Sequence, residues 1–173
     1  MKALRQTEDY TTAVSGPLVV QIWHKATTVQ GVDSLSLALA GQLKTHKSVF
    51  VLHVTMTTQA PDGAARDRIR QITGDYSERT LASALVFEGM GFGAATVRAV
   101  VAGIALVARH PFPYRVFAYV GAALEWFASF PLEPAHAAII AQAQAEIIEL
   151  RSIHSARYSI RPSKRPSRRV TSR

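Results

Sequence analysis

SVFVLHVT, Ser48 to Thr55, is where the chain commits to an architecture. Its eight residues are β-branched, aromatic or apolar at most positions, and they read as a buried strand. Pro61-Asp62-Gly63 then opens a helix from Ala64 to about Tyr76. Arg66, Asp67, Arg68 and Arg70 give that helix a solvated face. A second strand, Thr80 to Phe87 (TLASALVF), follows. Strand, helix and strand in succession imply parallel pairing through a right-handed crossover.

The pattern extends in both directions. Upstream, Tyr10–Val14 and Leu18–Trp23 flank Ser15-Gly16-Pro17, which is turn chemistry, so a hairpin is expected. Val32, Leu35, Leu37, Leu39 and Leu43 then mark a helix, with Thr28 or Asp33 near its start. Downstream, a helix over Gly93–Arg109 is ended by His110-Pro111-Phe112-Pro113. A strand over Arg115–Tyr119, a helix over Val120–Phe130 and a last helix from Pro134 to about Ser155 complete the order. The fold class is α/β: a mixed, mostly parallel sheet with an antiparallel edge, helices packed on it and an extra C-terminal helix. The expected division is a domain over 1–133, a helix over 134–156 and a basic disordered tail over 157–173.

A chain of 173 residues fits one domain with appended material, and it can bury a sizeable core without staples. It contains no cysteine, so a disulfide framework and thiolate metal ligation are excluded. The opening MKALRQTEDYTTAVSG lacks the apolar core of a signal peptide. The most apolar run, Ala94–Ala108, carries Arg98 and falls short of the roughly 20 residues that span a bilayer. The expectation is a soluble cytoplasmic protein. Twenty basic and twelve acidic residues give a net charge of +8. Eight of the basic residues, and no acid, lie in 151–173, which leaves twelve against twelve in the remainder. The domain is formally neutral and the tail carries the excess.

EGMGFGAATVRAV, Glu88 to Val100, contains Gly89, Gly91 and Ala94 at G-x-G-x-x-A spacing. Such a turn between strand and helix can hold a pyrophosphate on backbone N–H groups. A dinucleotide site also needs an acid about 20 residues on, at the end of the next strand. That strand ends in Phe117-Ala118-Tyr119, and no Walker lysine follows the turn. A sharp structural corner is the favoured reading, and no cofactor is expected. The six histidines, His24, His46, His53, His110, His136 and His154, show no i,i+4 or H-x-H spacing, so no metal site is expected. His53 alternates within a strand and reads as a packed or hydrogen-bonded residue. There is no G-x-S-x-G elbow, and Glu125 beside Trp126 reads as a surface acid next to a core aromatic. No catalytic residue is assigned.

The element order, together with GFGAATVRAVVAGIALVARHPFPYRVFAYVGAALEWFASF, resembles the STAS/SpoIIAA-like superfamily, and within it the bacterial STAS/SEC14-like proteins. The matching features are Gly91-Phe92, Arg98, Pro111-Phe112-Pro113, and the helix carrying Ala123, Leu124 and Trp126. The likeness covers roughly residues 8–130. It implies a non-enzymatic regulatory module of bacterial signalling that acts by protein–protein interaction. A small-ligand or lipid-binding protein of the same fold, with the apolar 93–109 helix lining a pocket, is the alternative, and an α/β enzyme using the 89–94 turn ranks last. In anti-sigma-factor antagonists of the superfamily, a serine opening the helix after the third strand is phosphorylated. The stretch Thr55–Asp62 here offers Thr57 and Thr58 but departs from the usual Asp-Ser pattern.

Two further features bear on partners. The 93–109 helix is apolar nearly all round, so it is either buried or forms a contact surface, with Val97, Val101 and Ile104 as its candidate residues. The partner is another protein or a second copy of this chain. The tail residues Arg161, Lys164, Arg165, Arg168, Arg169 and Arg173 are candidates for contact with nucleic acid, an anionic membrane or an acidic protein surface. A solvated terminus is the equal alternative.

Overall fold

SVFVLHVT forms an interior strand whose alternate residues build two different cores. Phe50, Leu52 and Val54 face one side of the sheet, and Val49, Val51, His53 and Thr55 face the other. The computed structural model describes residues 1–55, 57, 59–88, 96 and 110–158. Six strands are hydrogen-bonded side by side in chain order: β1 (Lys2–Gln6), β2 (Tyr10–Ser15), β3 (Leu18–Trp23), β4 (Val49–Thr55), β5 (Thr80–Phe87) and β6 (Tyr114–Phe117). The first three pair antiparallel, and β3 through β6 pair parallel. The α/β class and the mostly parallel mixed sheet are therefore as the sequence indicates.

The hairpin joining β2 and β3 pairs Ser15 with Leu18 across a two-residue turn. Gly16 sits at φ +50° at the first central position, where tight hairpin turns require a residue free of Cβ strain. Helix α1 (Val29–Gln42) starts where Thr28 accepts from the Gly31 N–H at 3.2 Å. Helix α2 (Gly63–Asp75) starts where Asp62 accepts from the Ala65 N–H at 2.8 Å. A short 3₁₀ turn, Ser77–Arg79, leads into β5. Helices α3 (Val120–Ala128) and α4 (Pro134–Tyr158) follow β6.

Helices α1 and α2 lie on one face and α3 and α4 on the other. The α3/α4 side is closely filled: Phe50, Phe127 and Phe130 stack over the small Ala82 and Ala84 of β5, beneath Ile140, Ala143 and Ile147. The α1 side gathers Tyr10, Val19, Trp23, Val32, Leu35 and Leu39. Among the described residues, no helix is long and apolar enough to cross a membrane.

Several boundaries differ from the sequence reading. The sheet begins one strand earlier than Tyr10: Lys2–Gln6 forms an exposed edge strand, and its charged, mostly solvated residues give no apolar alternation to read. Strand β6 starts at Tyr114 and ends at Phe117, and α3 ends at Ala128 rather than Phe130. The last helix runs to Tyr158, past the expected boundary at 156. Its final turn is held where the Tyr158 hydroxyl donates to the Gln6 carbonyl at 3.4 Å, with the Tyr158 ring against His154. Apart from Thr96, which is helical, the stretch 93–109 read as a helix, with Val97, Val101 and Ile104, and the expected turn at 89–94 lie outside the described residues. So do Thr58 and the tail residues Arg161, Lys164, Arg165, Arg168, Arg169 and Arg173.

Candidate functional site

Among the described residues, the α1/α2 face of the sheet is not closed over β5 and β6. Helix α2 packs against α1 and, through Ile69 and Ile72, joins the cluster that holds Val49 and Val51 of β4. Polar links to α1 add to these apolar contacts. The Arg68 guanidinium meets the Asp33 carboxylate at 2.6 Å, and the Tyr76 hydroxyl donates to the Ser36 carbonyl at 3.3 Å. Just past α2, Arg79 donates to the carbonyls of Leu43, His46 and Lys47 at 2.8, 2.8 and 3.0 Å. These carbonyls lie at and beyond the C-terminal end of α1, where acceptors lack helical partners.

The space left between α2 and the sheet is a cavity of about 410 Å³, within the size range of small-molecule sites. Strands β4, β5 and β6 form its floor with Val51, His53, Ser83, Leu85 and Tyr114. One wall comes from α1 through Leu35 and Leu39, and another from α2 through Ile69, Ile72 and Tyr76. Trp23 closes the β3 side, while Thr57, Gln59, His110 and Phe112 stand at the periphery. Among the described residues, no Asp, Glu, Lys or Arg lines this space.

The polar groups inside it are uncharged at neutral pH. Burial pushes the His53 pKa down to about 4 and raises the Tyr114 phenol to about 12. His110, stacked on Tyr114 with ring centroids 4.3 Å apart, is also lowered by burial. His53 has no hydrogen-bond partner among the described residues, so the structure does not place it as a hydrogen-bonded core residue. It lies in register with Gln21 of β3 and Leu85 of β5. Gln21 is itself fully buried: its amide oxygen accepts from Thr12 at 2.7 Å, and Thr12 lies 2.8 Å from the Ser34 hydroxyl. Thr12, Gln21 and His53 thus form a polar row across an otherwise apolar face, ending in the cavity.

The structure brings other histidines together. His24 and His154 stack with centroids 3.3 Å apart at 10°, and His46 meets His136 edge-on at 5.4 Å. His24 lies 2.9 Å from the Thr11 hydroxyl, and His154 donates to the Thr7 carbonyl at 3.0 Å. Burial, then His154, then Arg151 pull the His24 pKa down to about 4. The partners in the first pair are 130 positions apart, so no spacing rule could have joined them. Among the described residues, no cluster of three or more potential metal ligands forms. Glu125 is exposed, and Trp126 packs among Phe117, Phe127 and Phe130, as expected.

Sequence reasoning raises a pocket only in its alternative, lined by the 93–109 helix, which lies outside the described residues; it does not single out the space between α2 and the sheet, nor His53 on its floor. The one usable signal was a polar residue interrupting the apolar alternation of β4. Of the threonines raised by the superfamily likeness, Thr57 stands at the cavity periphery, its hydroxyl accepting from the Gln59 N–H at 3.1 Å. Comparison with protein-family models, with curated proteins and with solved structures finds no match to this chain.

Proposed function

We propose that this protein is a non-enzymatic module that binds a small molecule between α2 and the sheet, in a fold resembling the STAS/SEC14-like proteins. The observation that supports this reading is the cavity of about 410 Å³, apolar in most of its lining and with an unpaired imidazole on its floor. A well-packed interior leaves few voids larger than a water molecule, and the opposite face of this sheet carries a continuous cluster of buried apolar residues. A space of this size, kept open by ion-pair and hydrogen-bond supports between α1 and α2, suits occupancy by a ligand. The docking role suggested by the superfamily likeness rests on Val97, Val101 and Ile104, outside the described residues.

The test is native mass spectrometry of the full chain purified under mild conditions, alongside Leu85→Trp, which fills the cavity from its floor. The expected result is a co-purifying small molecule on the native chain, absent from Leu85→Trp although that variant stays folded. Retention of the same molecule by Leu85→Trp would place it elsewhere. A bare chain whose melting temperature responds to no uncharged amphipathic compound would remove the reading.

A further inference from the structure

The cavity's chemistry narrows what it takes, given the reading that the cavity is the ligand site. An anionic ligand such as a fatty acid or phosphate ester needs a cation or a set of aligned N–H donors to replace its hydration. A cationic ligand needs a carboxylate or an aromatic cage. The described lining residues provide no Lys or Arg to hold an anion and no Asp or Glu to hold a cation, and the rings of Trp23, Tyr76, Phe87, Phe112 and Tyr114 offer a cation only the weaker ring-face attraction, without the counter-charge that burial demands. A fully apolar ligand would leave the His53 ring facing it unpaired, as it is now among the described residues, and would forfeit a hydrogen bond.

A neutral imidazole presents one donor and one acceptor, and a hydroxyl group can answer either. Tyr114 offers a second hydroxyl two strands away and two residues out of register, its backbone roughly 12 Å from that of His53. Between them lie Leu85 and Ser83 of β5, with Ile69 and Ile72 of α2 also lining the space. We infer that the ligand is an uncharged, largely apolar alcohol or phenol whose hydroxyl pairs with His53 while its body lies between α2 and β5. Selectivity then comes from exclusion of charge by the apolar walls and from one hydrogen bond on the floor.

A matched probe set tests this in the full chain: 2-naphthol, naphthalene and 2-naphthoate, titrated at about pH 7.5 by calorimetry or fluorescence. 2-Naphthol should bind roughly tenfold more tightly than either of the others, the size of one net hydrogen bond. The preference over naphthalene should fall to about one in His53→Leu and return in His53→Gln, which restores a donor and an acceptor. Equal or tighter binding of 2-naphthoate in the native chain would overturn the inference without requiring any variant to fold. An unchanged preference in a folded His53→Leu would overturn it as well. Failure of all three probes to bind would instead count against the cavity as a ligand site, and so against the reading beneath.

Discussion

His53→Leu should make the protein less sensitive to acid, by an amount that follows from where His53 sits. Burial holds the folded-state pKa near 4, against 6.5 for the free side chain. With the folded value depressed, the neutral ring costs nothing extra above pH 6.5, and stability is lost as the pH falls from 6.5 toward 4. One proton taken up by the unfolded chain and refused by the folded one costs about 1.4 kcal/mol at pH 5.5 and about 2.5 kcal/mol at pH 4.5. Leucine has no such linkage and is close in volume. The stability of His53→Leu relative to the native chain should therefore improve by about 2.5 kcal/mol between pH 7.5 and pH 4.5. Other acid-sensitive groups, His24 among them, are common to both proteins and largely cancel in the difference. Urea denaturation followed by circular dichroism at pH 7.5, 5.5 and 4.5 measures it. A constant offset between the two proteins would show that His53 protonates freely in the folded state, and that the cavity floor is neither dry nor unpaired.

Three further perturbations probe the frame and the charge. Gly16→Ala forces a side chain into the left-handed region and places its Cβ 2.5 Å from Ile139 Cδ1, so a loss of about 1–2 kcal/mol is expected; an unchanged melting temperature would refute the turn geometry. Arg79→Ala removes three hydrogen bonds to the carbonyls of Leu43, His46 and Lys47, and should cost about 1–3 kcal/mol and weaken 2-naphthol binding by loosening α2 from α1. Stability lost with binding intact would mean that the clamp does not hold the cavity open. Deleting residues 159–173 removes six basic side chains and lowers the formal charge from +8 to +2. Binding to DNA or anionic vesicles, measured across a salt series, should then fall sharply; equal binding with and without the segment would dismiss it as the electrostatic contact.

The parts of the fold that were legible in the sequence are those fixed by local chemistry. Ser15-Gly16-Pro17 announces a turn because only a glycine accepts a positive φ without strain. Asp62 and Thr28 announce helix starts because their side chains satisfy otherwise orphaned N–H groups. Thr80–Phe87 was read to its exact ends because its apolar run is bounded by a polar turn on one side and Glu88 on the other. The edge strand Lys2–Gln6 left no such mark, since one neighbouring strand and solvent ask nothing of its side chains beyond extension.

The cavity was illegible for a different reason: no single element contains it. From β4 alone, His53 has two outcomes, packing under a helix or facing a void, and the strand pattern is identical for both. What separates them is the height of α2 above the sheet. That height follows from contacts between residues 32 to 36 positions apart in sequence, Arg68 with Asp33 and Arg79 with Leu43, His46 and Lys47. The size of the β5 side chains completes it. Where β5 offers Ala82 and Ala84, the bulk of Phe50 and Phe127 fills the other face. On the cavity face β5 offers Ser83 and Leu85, which line the space together with Ile69 and Ile72 of α2. The space is thus bounded by a helix tied to its neighbour and by strand side chains of mixed size, Val51, Ser83, Leu85 and Tyr114, which only the folded chain brings together. Whichever polar side chain the alternation places beneath that space becomes its recognition group.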